Sequence, residues 1–451
     1  MKRKGDILLQ SEPYVHVLSN KERGRRCDAC FESGEDLKRC TVCKVVRYCN
    51  AVCQKVDWTS HKGECPCLKR VFPDVPLDSV RLMLKLLLKQ KVGDNGNSVK
   101  NDIGWRDFSK FQSHSDEIKS DKNRMEQLSK IVFTLRKLLG DTTLPPADDL
   151  LEIFGKMVIN SFTVCDGEMQ SIGVAIYLSP SLLDHSCEPN AVATFQGTKL
   201  IVRATQNILE PSPANICISY VDQLETIEER QKQLQEQYYF TCQCNRCQDK
   251  GLNGEMLSVR CQSGHCQGYH RRLEDDKFGD CRGCGYQGNT IRADDVENFY
   301  EACRECLMKI KAVSENDPLK VLQLCEECQK EQKQLFTDCN VHCVHLLVKA
   351  FDAGIDRGHW EVALQYGLRV QEAYRKFYPP NSPHVGIEQM KVGKIQLYLE
   401  QSQQALITLQ QAATTISITH GKSHPLYEDL AGLIHQCAEE MRAKLEFSLQ
   451  A

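Results

Sequence analysis

Apolar positions recur at two periods along the chain, and the switches between them divide it. Through residues 1–26, Ile7, Leu9, Tyr14 and Val17 alternate with polar neighbours, which predicts short strands. Residues 68–140 read as helical. Val80, Leu84, Leu87 and Leu88 fall on one helical face, and Leu128, Ile131, Val132, Leu135, Leu138 and Leu139 repeat that spacing between Met125 and Leu139. Leu144-Pro145-Pro146 ends the stretch, and a further helix is expected from Asp148 to Met157. From Ser171 to Tyr220 the pattern returns to strands, as Val174/Ile176, Val192/Thr194, Leu200/Val202 and Ile216/Ile218. Residues 296–451 are helical in pattern and weakly repetitive. Trp360-Glu361-Val362-Ala363-Leu364 returns as Gln404-Ala405-Leu406. Each is followed by a helix, then by Asn381-Ser382-Pro383-His384 or Lys422-Ser423-His424-Pro425. A period of about 42 residues resembles elongated tetratricopeptide helix pairs stacked on their neighbours; an ordinary bundle is the alternative.

Composition narrows the class. A chain of 451 residues suggests two to four domains, and 41% apolar with 26% charged residues is ordinary for a globular protein. The net charge of −3 argues against coating nucleic acid. The local basic stretch, Arg23 to Arg26 with Lys38 and Arg39, reads as a solvated face. Val80 to Leu88, the longest apolar-rich run, contains Arg81 and Lys85 and does not span a membrane. No secretory leader is expected ahead of the 25 cysteines, because Met1-Lys2-Arg3-Lys4 precedes only Ile7-Leu8-Leu9. Reduced, metal-bound thiolates in the cytoplasm and nucleus are expected.

Cysteine spacing then supplies chemistry. The pairs Cys27-x2-Cys30, Cys40-x2-Cys43, Cys49-x3-Cys53 and His61-x3-Cys65 offer eight ligands, enough for two tetrahedral zinc ions. The segment is too short for its own core, so metal binding would be its folding energy. Cys67 is expected to remain a plain thiol. Cys242-x-Cys244-x2-Cys247 forms another cluster that needs a fourth ligand. Cys261-x4-Cys266 and Cys281-x2-Cys284, interspersed with Gly264, Gly268, Gly283 and Gly285, suggest a small zinc ribbon or else an unstructured insertion. Cys303, Cys306, Cys325 and Cys328 lie at i, i+3 in helical segments and are expected to be packing residues.

Four further motifs follow in order: Asn160-Ser161-Phe162, Asp184-His185-Ser186-Cys187-Glu188-Pro189-Asn190, Tyr220-Val221-Asp222 and the Cys242 cluster. With the first cysteine module they resemble the SMYD family, protein-lysine methyltransferases in which a SET domain is split by a MYND zinc module. The wording around Leu144-Pro145-Pro146, Asn160-Ser161-Phe162-Thr163 and Glu168-Met169-Gln170 is nearest to the family's third member. The resemblance implies that Cys27, Cys30, Cys49 and Cys53 hold one structural zinc and that Cys40, Cys43, His61 and Cys65 hold another. It implies that Cys187 completes a third zinc with Cys242, Cys244 and Cys247. It assigns Tyr220 and Tyr238 to catalysis and Phe162, Tyr238 and Phe240 to the lysine channel, with Asp222 meeting the substrate ammonium. For S-adenosylmethionine it points to His114, Asn160, Ser161, Asp184, His185, Tyr220, Tyr238 and Phe240.

The implied fold is α+β: a β-rich SET domain split by the zinc module, then an all-α TPR-like domain. Its divisions are 1–26 (SET N-terminal part), 27–65 (MYND), 66–150 (helical insertion), 151–222 (SET core), 223–250 (post-SET), 251–295 (cysteine-rich insertion) and 296–451 (helical). The sequence departs from the family at Asp184, where asparagine is usual; an ionised carboxylate accepts hydrogen bonds but donates none. Glu210-Pro211-Ser212-Pro213-Ala214-Asn215 replaces a Gly-Glu-Glu turn, and no Gly-x-Gly precedes Cys27. The expectation from these differences is a truncated isoform or an incomplete gene model, with cofactor binding weakened or lost. The leading reading is an S-adenosylmethionine-dependent methyltransferase acting on histone tails or other lysine-bearing proteins, with three zinc ions and a fourth if the ribbon forms. The alternative is a catalytically impaired adaptor that binds Pro-rich peptides at MYND and chaperone tails at the helical repeat. Direct DNA binding is expected to be weak or absent.

Overall fold

The computed structural model describes residues 1–93, 104, 106–140, 142–313, 317–332 and 335–450. It divides into two compact units. Unit 1 holds Met1–His185, Asn190–Ile218 and Leu234–Phe240; unit 2 holds Ser186–Pro189, Ser219–Gln233 and Thr241–Ala451.

Unit 1 begins with strands β1 (Ile7–Ser11) and β2 (Val15–Leu18) and two short strands, β3 (Lys38–Arg39) and β4 (Arg47–Tyr48). Helices α1 (Ala51–Val71), α2 (Asp78–Lys91), α3 (Ser115–Ser120), α4 (Lys122–Leu139) and α5 (Ala147–Asn160) follow. Then come β5 (Ser161–Cys165), β6 (Ser171–Ile176), β7 (Asp184–His185), β8 (Ala191–Gln196), β9 (Lys199–Ala204) and β10 (Cys217–Ile218). Two three-stranded antiparallel sheets form, in the orders β1-β9-β8 and β2-β6-β5; β3 pairs antiparallel with β4, and β10 pairs in parallel with β7. Simple alternation fails in β1: the register slips between Ile7 and Leu9, and Leu8 and Leu9 are both buried. A bulge produces that outcome by placing consecutive side chains off the two-residue period.

Helix α4 buries Leu128, Ile131, Leu135, Leu138 and Leu139 of the expected stripe, leaves Val132 half-buried at its edge and exposes Phe133. Its start is fixed by Asp121, whose Oδ1 accepts from the amides of Asn123 and Arg124 at 2.9 and 3.1 Å. Helix α2 differs from the one-faced helix predicted. Every residue from Val80 to Leu87 is buried, including Arg81 and Lys85, so it is a central helix. Those two charges are tolerated there because each has a buried partner, described below.

Unit 2 contains most of α6 (Ile227–Tyr238), then α7 (Asn245–Gln248), α8 (Lys250–Met256) and a hairpin of β11 (Val259–Arg260) and β12 (Tyr269–His270). Helices α9 (Ala293–Ala312), α10 (Pro318–Gln332), α11 (Val341–Asp356), α12 (Trp360–Phe377), α13 (Pro383–Tyr398), α14 (Ser402–Thr419) and α15 (Pro425–Gln450) complete it. The sequence repeat is structural. Helix α12 starts at Trp360 and α14 at Ser402, while α13 starts at Pro383 and α15 at Pro425, each pair 42 residues apart. Ala363 and Ala405, fourth in their helices, are both fully buried. Cys303, Cys306, Cys325 and Cys328 sit in the apolar core with Tyr300, Leu347 and Phe377, as packing residues should.

Four of the sequence divisions fall inside helices. Residue pairs 65/66, 150/151, 250/251 and 295/296 interrupt α1, α5, α8 and α9 respectively. Motif endpoints mark ligands, whereas helix ends are set by caps and backbone hydrogen bonds.

Candidate functional site

Helix α1 presents three ligands of the first cysteine module. Asn50 caps it, accepting from the amides of Val52 and Cys53 at 2.9 and 3.0 Å, which fixes Cys53 on the first turn. His61 and Cys65 follow on the same helix. The ligand atoms of Cys27, Cys30, Cys49 and Cys53 gather within 4.8 Å of one another, and so do those of Cys40, Cys43, His61 and Cys65. A tetrahedral ZnS4 centre with Zn–S near 2.3 Å has sulfur–sulfur edges of roughly 3.8 Å. The observed edges include Cys30–Cys49 at 3.7 Å, Cys30–Cys53 at 3.9 Å and Cys40–Cys65 at 3.8 Å. Donor chemistry and spacing both fit zinc, in the interleaved pairing that the family resemblance implied. Cys67 stays outside, with its thiol donating to the Gly63 carbonyl at 3.6 Å.

Behind the second of these sites lies a buried charge network that the sequence reading did not identify. His61 Nδ1 lies 3.5 Å from Glu64 Oε2, while its Nε2 faces Cys43 Sγ at 3.5 Å. Glu64 accepts from Arg81 at 2.8 and 3.3 Å and lies 3.8 Å from Lys85 Nζ. Arg81 also approaches Asp28 at 3.5 Å, and Asp28 accepts the Arg47 amide at 2.8 Å. Lys85 donates to the His16 carbonyl at 3.0 Å. Burial would raise the Glu64 carboxyl, but Arg81 and Lys85 hold it below the usual carboxylate range. A carboxylate behind a ligating imidazole orients the ring and fixes which nitrogen meets the metal.

A third cluster lies in unit 2, where Cys187, Cys242, Cys244 and Cys247 converge within 4.8 Å. Cys187 Sγ is 3.5 Å from Cys247 Sγ, and Arg230 donates to Cys247 Sγ at 3.7 Å. Gln231 braces the backbone of Cys242 from both sides, accepting its amide at 2.8 Å and donating to its carbonyl at 2.6 Å. Cys261, Cys266, Cys281 and Cys284 form a fourth cluster, also in unit 2.

The predicted cofactor residues of unit 1 lie on neighbouring segments. Asn160 ends α5, and its amide donates to the Gln112 and Lys156 carbonyls at 3.0 and 2.9 Å. Lys156 Nζ donates to the Ser109 carbonyl at 2.9 Å. Segment 109–114 therefore lies along α5, and Gly155 makes this approach possible: a Cβ there would stand 2.1 Å from the Ser113 carbonyl oxygen. His114 follows in a left-handed conformation at φ 49°, with its ring centroid 5.8 Å from Tyr239. Ser161 Oγ donates back to the Met157 carbonyl at 2.5 Å.

The Asp184-to-Asn190 motif is tied to the departing turn. Asn190 donates to the Asn215 carbonyl at 2.7 Å and accepts the Cys217 amide at 2.9 Å. Asn215 in turn donates to the Glu210 carbonyl at 3.1 Å, so the replacement turn closes on itself. It delivers β10 in register, with Cys217 opposite Asp184 and Ile218 opposite His185. The His185 ring lies 5.9 Å from Phe240, which lies 6.4 Å from Tyr238. Phe162, on β5, meets Tyr177 edge-on at 5.6 Å. Tyr220 and Asp222 belong to unit 2, where Asp222 Oδ1 accepts from the Tyr378 hydroxyl and the Leu224 amide at 2.8 and 2.9 Å.

The MYND finger family matches residues 27–65. The chain is 36% identical to the Homo sapiens histone-lysine N-methyltransferase SMYD3, over 98% of this chain and 94% of that protein. It is 30% identical to the Homo sapiens N-lysine methyltransferase SMYD2, over 94% of this chain and 92% of that protein. The Danio rerio N-lysine methyltransferase SMYD2-A is 29% identical over the same shares. Likeness of this degree across nearly all of both chains, with the zinc module in place, makes this chain a member of the SMYD family.

Proposed function

We propose that this chain transfers a methyl group from S-adenosylmethionine to lysine side chains of histone tails or other proteins. The observation that carries this reading is 36% identity, over 98% of the chain, to a relative named as a histone-lysine methyltransferase. The grouping of His185, Phe240 and Tyr238 in unit 1 supports it.

S-adenosylmethionine, when bound, supplies an electrophilic methyl carbon on a sulfonium. His114, Asn160, Ser161, Asp184, His185 and Phe240 would hold it, with contributions from Tyr220 and Tyr238. The lysine nitrogen must arrive with its lone pair free, and apolar walls from Phe162, Tyr238 and Phe240 would favour the uncharged amine. Asp222 would meet the ammonium form before its proton leaves to solvent. The Tyr220 hydroxyl would then orient the amine for in-line attack. Burial pushes the Tyr238 hydroxyl above the ordinary phenol range, with Arg124 opposing. A phenol raised in this way donates a hydrogen bond and does not serve as the base.

The first three clusters would each hold one structural zinc, with four protein ligands and no open position. Val42, Val52, Val56 and Trp58 are exposed on the finger and offer an apolar surface for Pro-rich peptides. Histone tails and other lysine-bearing proteins would be substrates, and chaperone tails would meet the helical repeat. No described helix is long and apolar enough to cross a membrane. The proposed location is the cytoplasm and nucleus.

A second reading, a catalytically impaired adaptor, is favoured by one observation: Asp184 is exposed and lacks the amide donor that the family places there. Calorimetric titration of S-adenosylmethionine into the full chain separates the two. The first reading expects saturable heat that weakens with Phe240→Ala; absence of heat would leave the adaptor.

A further inference from the structure

The cysteine-rich segment between α8 and α9 does not belong to the lysine-channel or cofactor motifs. It pairs a short hairpin, β11 and β12, with two cysteine-bearing turns. Cys261 Sγ lies 3.6 Å from Cys284 Sγ, and Cys266 Sγ lies 3.7 Å from Cys281 Sγ. All four sulfurs lie within 4.8 Å of one another. A disulfide would need sulfurs about 2.05 Å apart, whereas the edges of a tetrahedral ZnS4 centre are roughly 3.8 Å. The four thiols thus have metal-site spacing.

Two further features point to a metal. The Gly268 amide donates to Cys266 Sγ at 3.1 Å, and the Gly283 amide donates to Cys281 Sγ at 3.3 Å. Backbone amides aimed at sulfur stabilise thiolate, the form that binds metal. Gly268 also has no room for a side chain: a Cβ there would lie 2.8 Å from Cys281 Sγ and 3.0 Å from Cys266 Sγ.

The segment is joined to the rest of unit 2 at its base. The Arg260 amide donates to the Leu335 carbonyl at 2.6 Å, and Val259 bridges to Phe336. The connection after β12 returns to α8, where the Arg272 amide donates to the Gly254 carbonyl at 3.1 Å. The Arg272 side chain pairs with Asp276 at 2.6 Å and lies over the Tyr300 ring at 5.6 Å. This connection, through Arg272, Leu273, Glu274 and Asp276, forms one wall of a cavity of about 470 Å³.

We propose that Cys261, Cys266, Cys281 and Cys284 bind a fourth zinc ion, separate from the other three clusters, and that this ion holds the cavity wall at Arg272–Asp276 in place. The segment has few apolar side chains to fold around, so the metal is its main source of order. The site stands whether or not the chain transfers methyl groups.

Native mass spectrometry of the full chain, purified with zinc present throughout, counts the ions directly. Four zinc ions are expected on the folded chain, and three on the folded double variant Cys281→Ser/Cys284→Ser. Hydrogen exchange is then expected to quicken at least tenfold across residues 259–288 in that variant, with residues 27–65 unchanged. Cys284→Ser alone, at an exposed ligand, serves if the double variant does not fold, and is expected to lose the same ion. Three zinc ions on the wild-type chain, four on either variant, or a wild-type mass lighter by the hydrogens of two disulfides would overturn the proposal. So would unchanged exchange at 259–288 after loss of the ion, because the wall would then hold without it.

Discussion

The Tyr378 hydroxyl donates a 2.8 Å hydrogen bond to Asp222 Oδ1. Tyr378 is buried at the end of α12, and burial followed by the Asp222 charge pushes its phenol well above the ordinary range, so it remains a donor. The Leu224 amide occupies the same carboxylate oxygen. Tyr378 thus fixes the orientation of the carboxylate assigned to the substrate ammonium. Tyr378→Phe removes a bond of about 1 kcal/mol, roughly a fivefold effect. The expected result is a rise in KM for a lysine peptide, with S-adenosylmethionine affinity unchanged. Equal kinetics for the two chains would remove Asp222 from substrate contact or Tyr378 from its support.

Arg81 makes a second prediction. Replacing it with leucine takes the guanidinium from Glu64 and Asp28, both buried, at a cost of about 3–5 kcal/mol. Glu64→Gln is the milder test, since it weakens the support behind His61. Zinc bound through Cys40, Cys43, His61 and Cys65 is expected to pass to a competing chelator at roughly 10–100-fold lower chelator concentration. Unchanged zinc retention would show that His61 needs no carboxylate behind it.

Gly155 should be intolerant of alanine. The added Cβ would press on the Ser113 carbonyl and displace the segment that ends at His114. S-adenosylmethionine affinity is expected to fall roughly tenfold, the size that a 1.4 kcal/mol misplacement produces. Alanine at the exposed Asp149, on the same helix, is the control, and similar affinity in both variants would contradict the placement of His114 at the cofactor.

Stability should depend on pH through Glu388. Burial pushes its carboxyl up to about 8, opposed by Lys391 and reinforced by Asp352, and its Oε1 accepts no hydrogen bond. The folded chain therefore keeps a proton between about 4.5 and about 8 that the unfolded chain releases. Its stabilising contribution is complete at low pH and is lost as pH rises through that window. Glu388→Gln is expected to flatten this slope and raise the melting temperature at pH 8. An unaltered slope would place the titration elsewhere.

The paired ligands were legible in the sequence because they are local: a Cys-x2-Cys pair declares its geometry within one turn, whereas Cys187, far from Cys242, came only from the family resemblance. The 42-residue repeat was legible for the same reason, as Pro383 and Pro425 each open a helix. What escaped depends on distant pairing. Arg81 and Lys85 looked like charges interrupting an apolar run, and only the fold shows Glu64, from another helix, between them. The brace from Tyr378 to Asp222 spans 156 positions and leaves no local signal. The turn at Glu210–Asn215 looked like a loss, yet its own hydrogen bonds and Asn190 deliver β10 opposite Asp184 and His185.

The central claim is methyl transfer to lysine, and intact-mass measurement of a histone substrate incubated with the full chain and S-adenosylmethionine tests it most directly. The account expects one or more methyl additions, localised to lysine. It expects Tyr220→Phe to slow them by roughly 10²-fold, the usual loss for one transition-state hydrogen-bond donor, with cofactor affinity mostly kept because the ring remains. Methylation at an undiminished rate in Tyr220→Phe would contradict the catalytic assignment. A wild-type chain that binds S-adenosylmethionine yet methylates no lysine in histones or in a cell-extract proteome would contradict the proposed function itself.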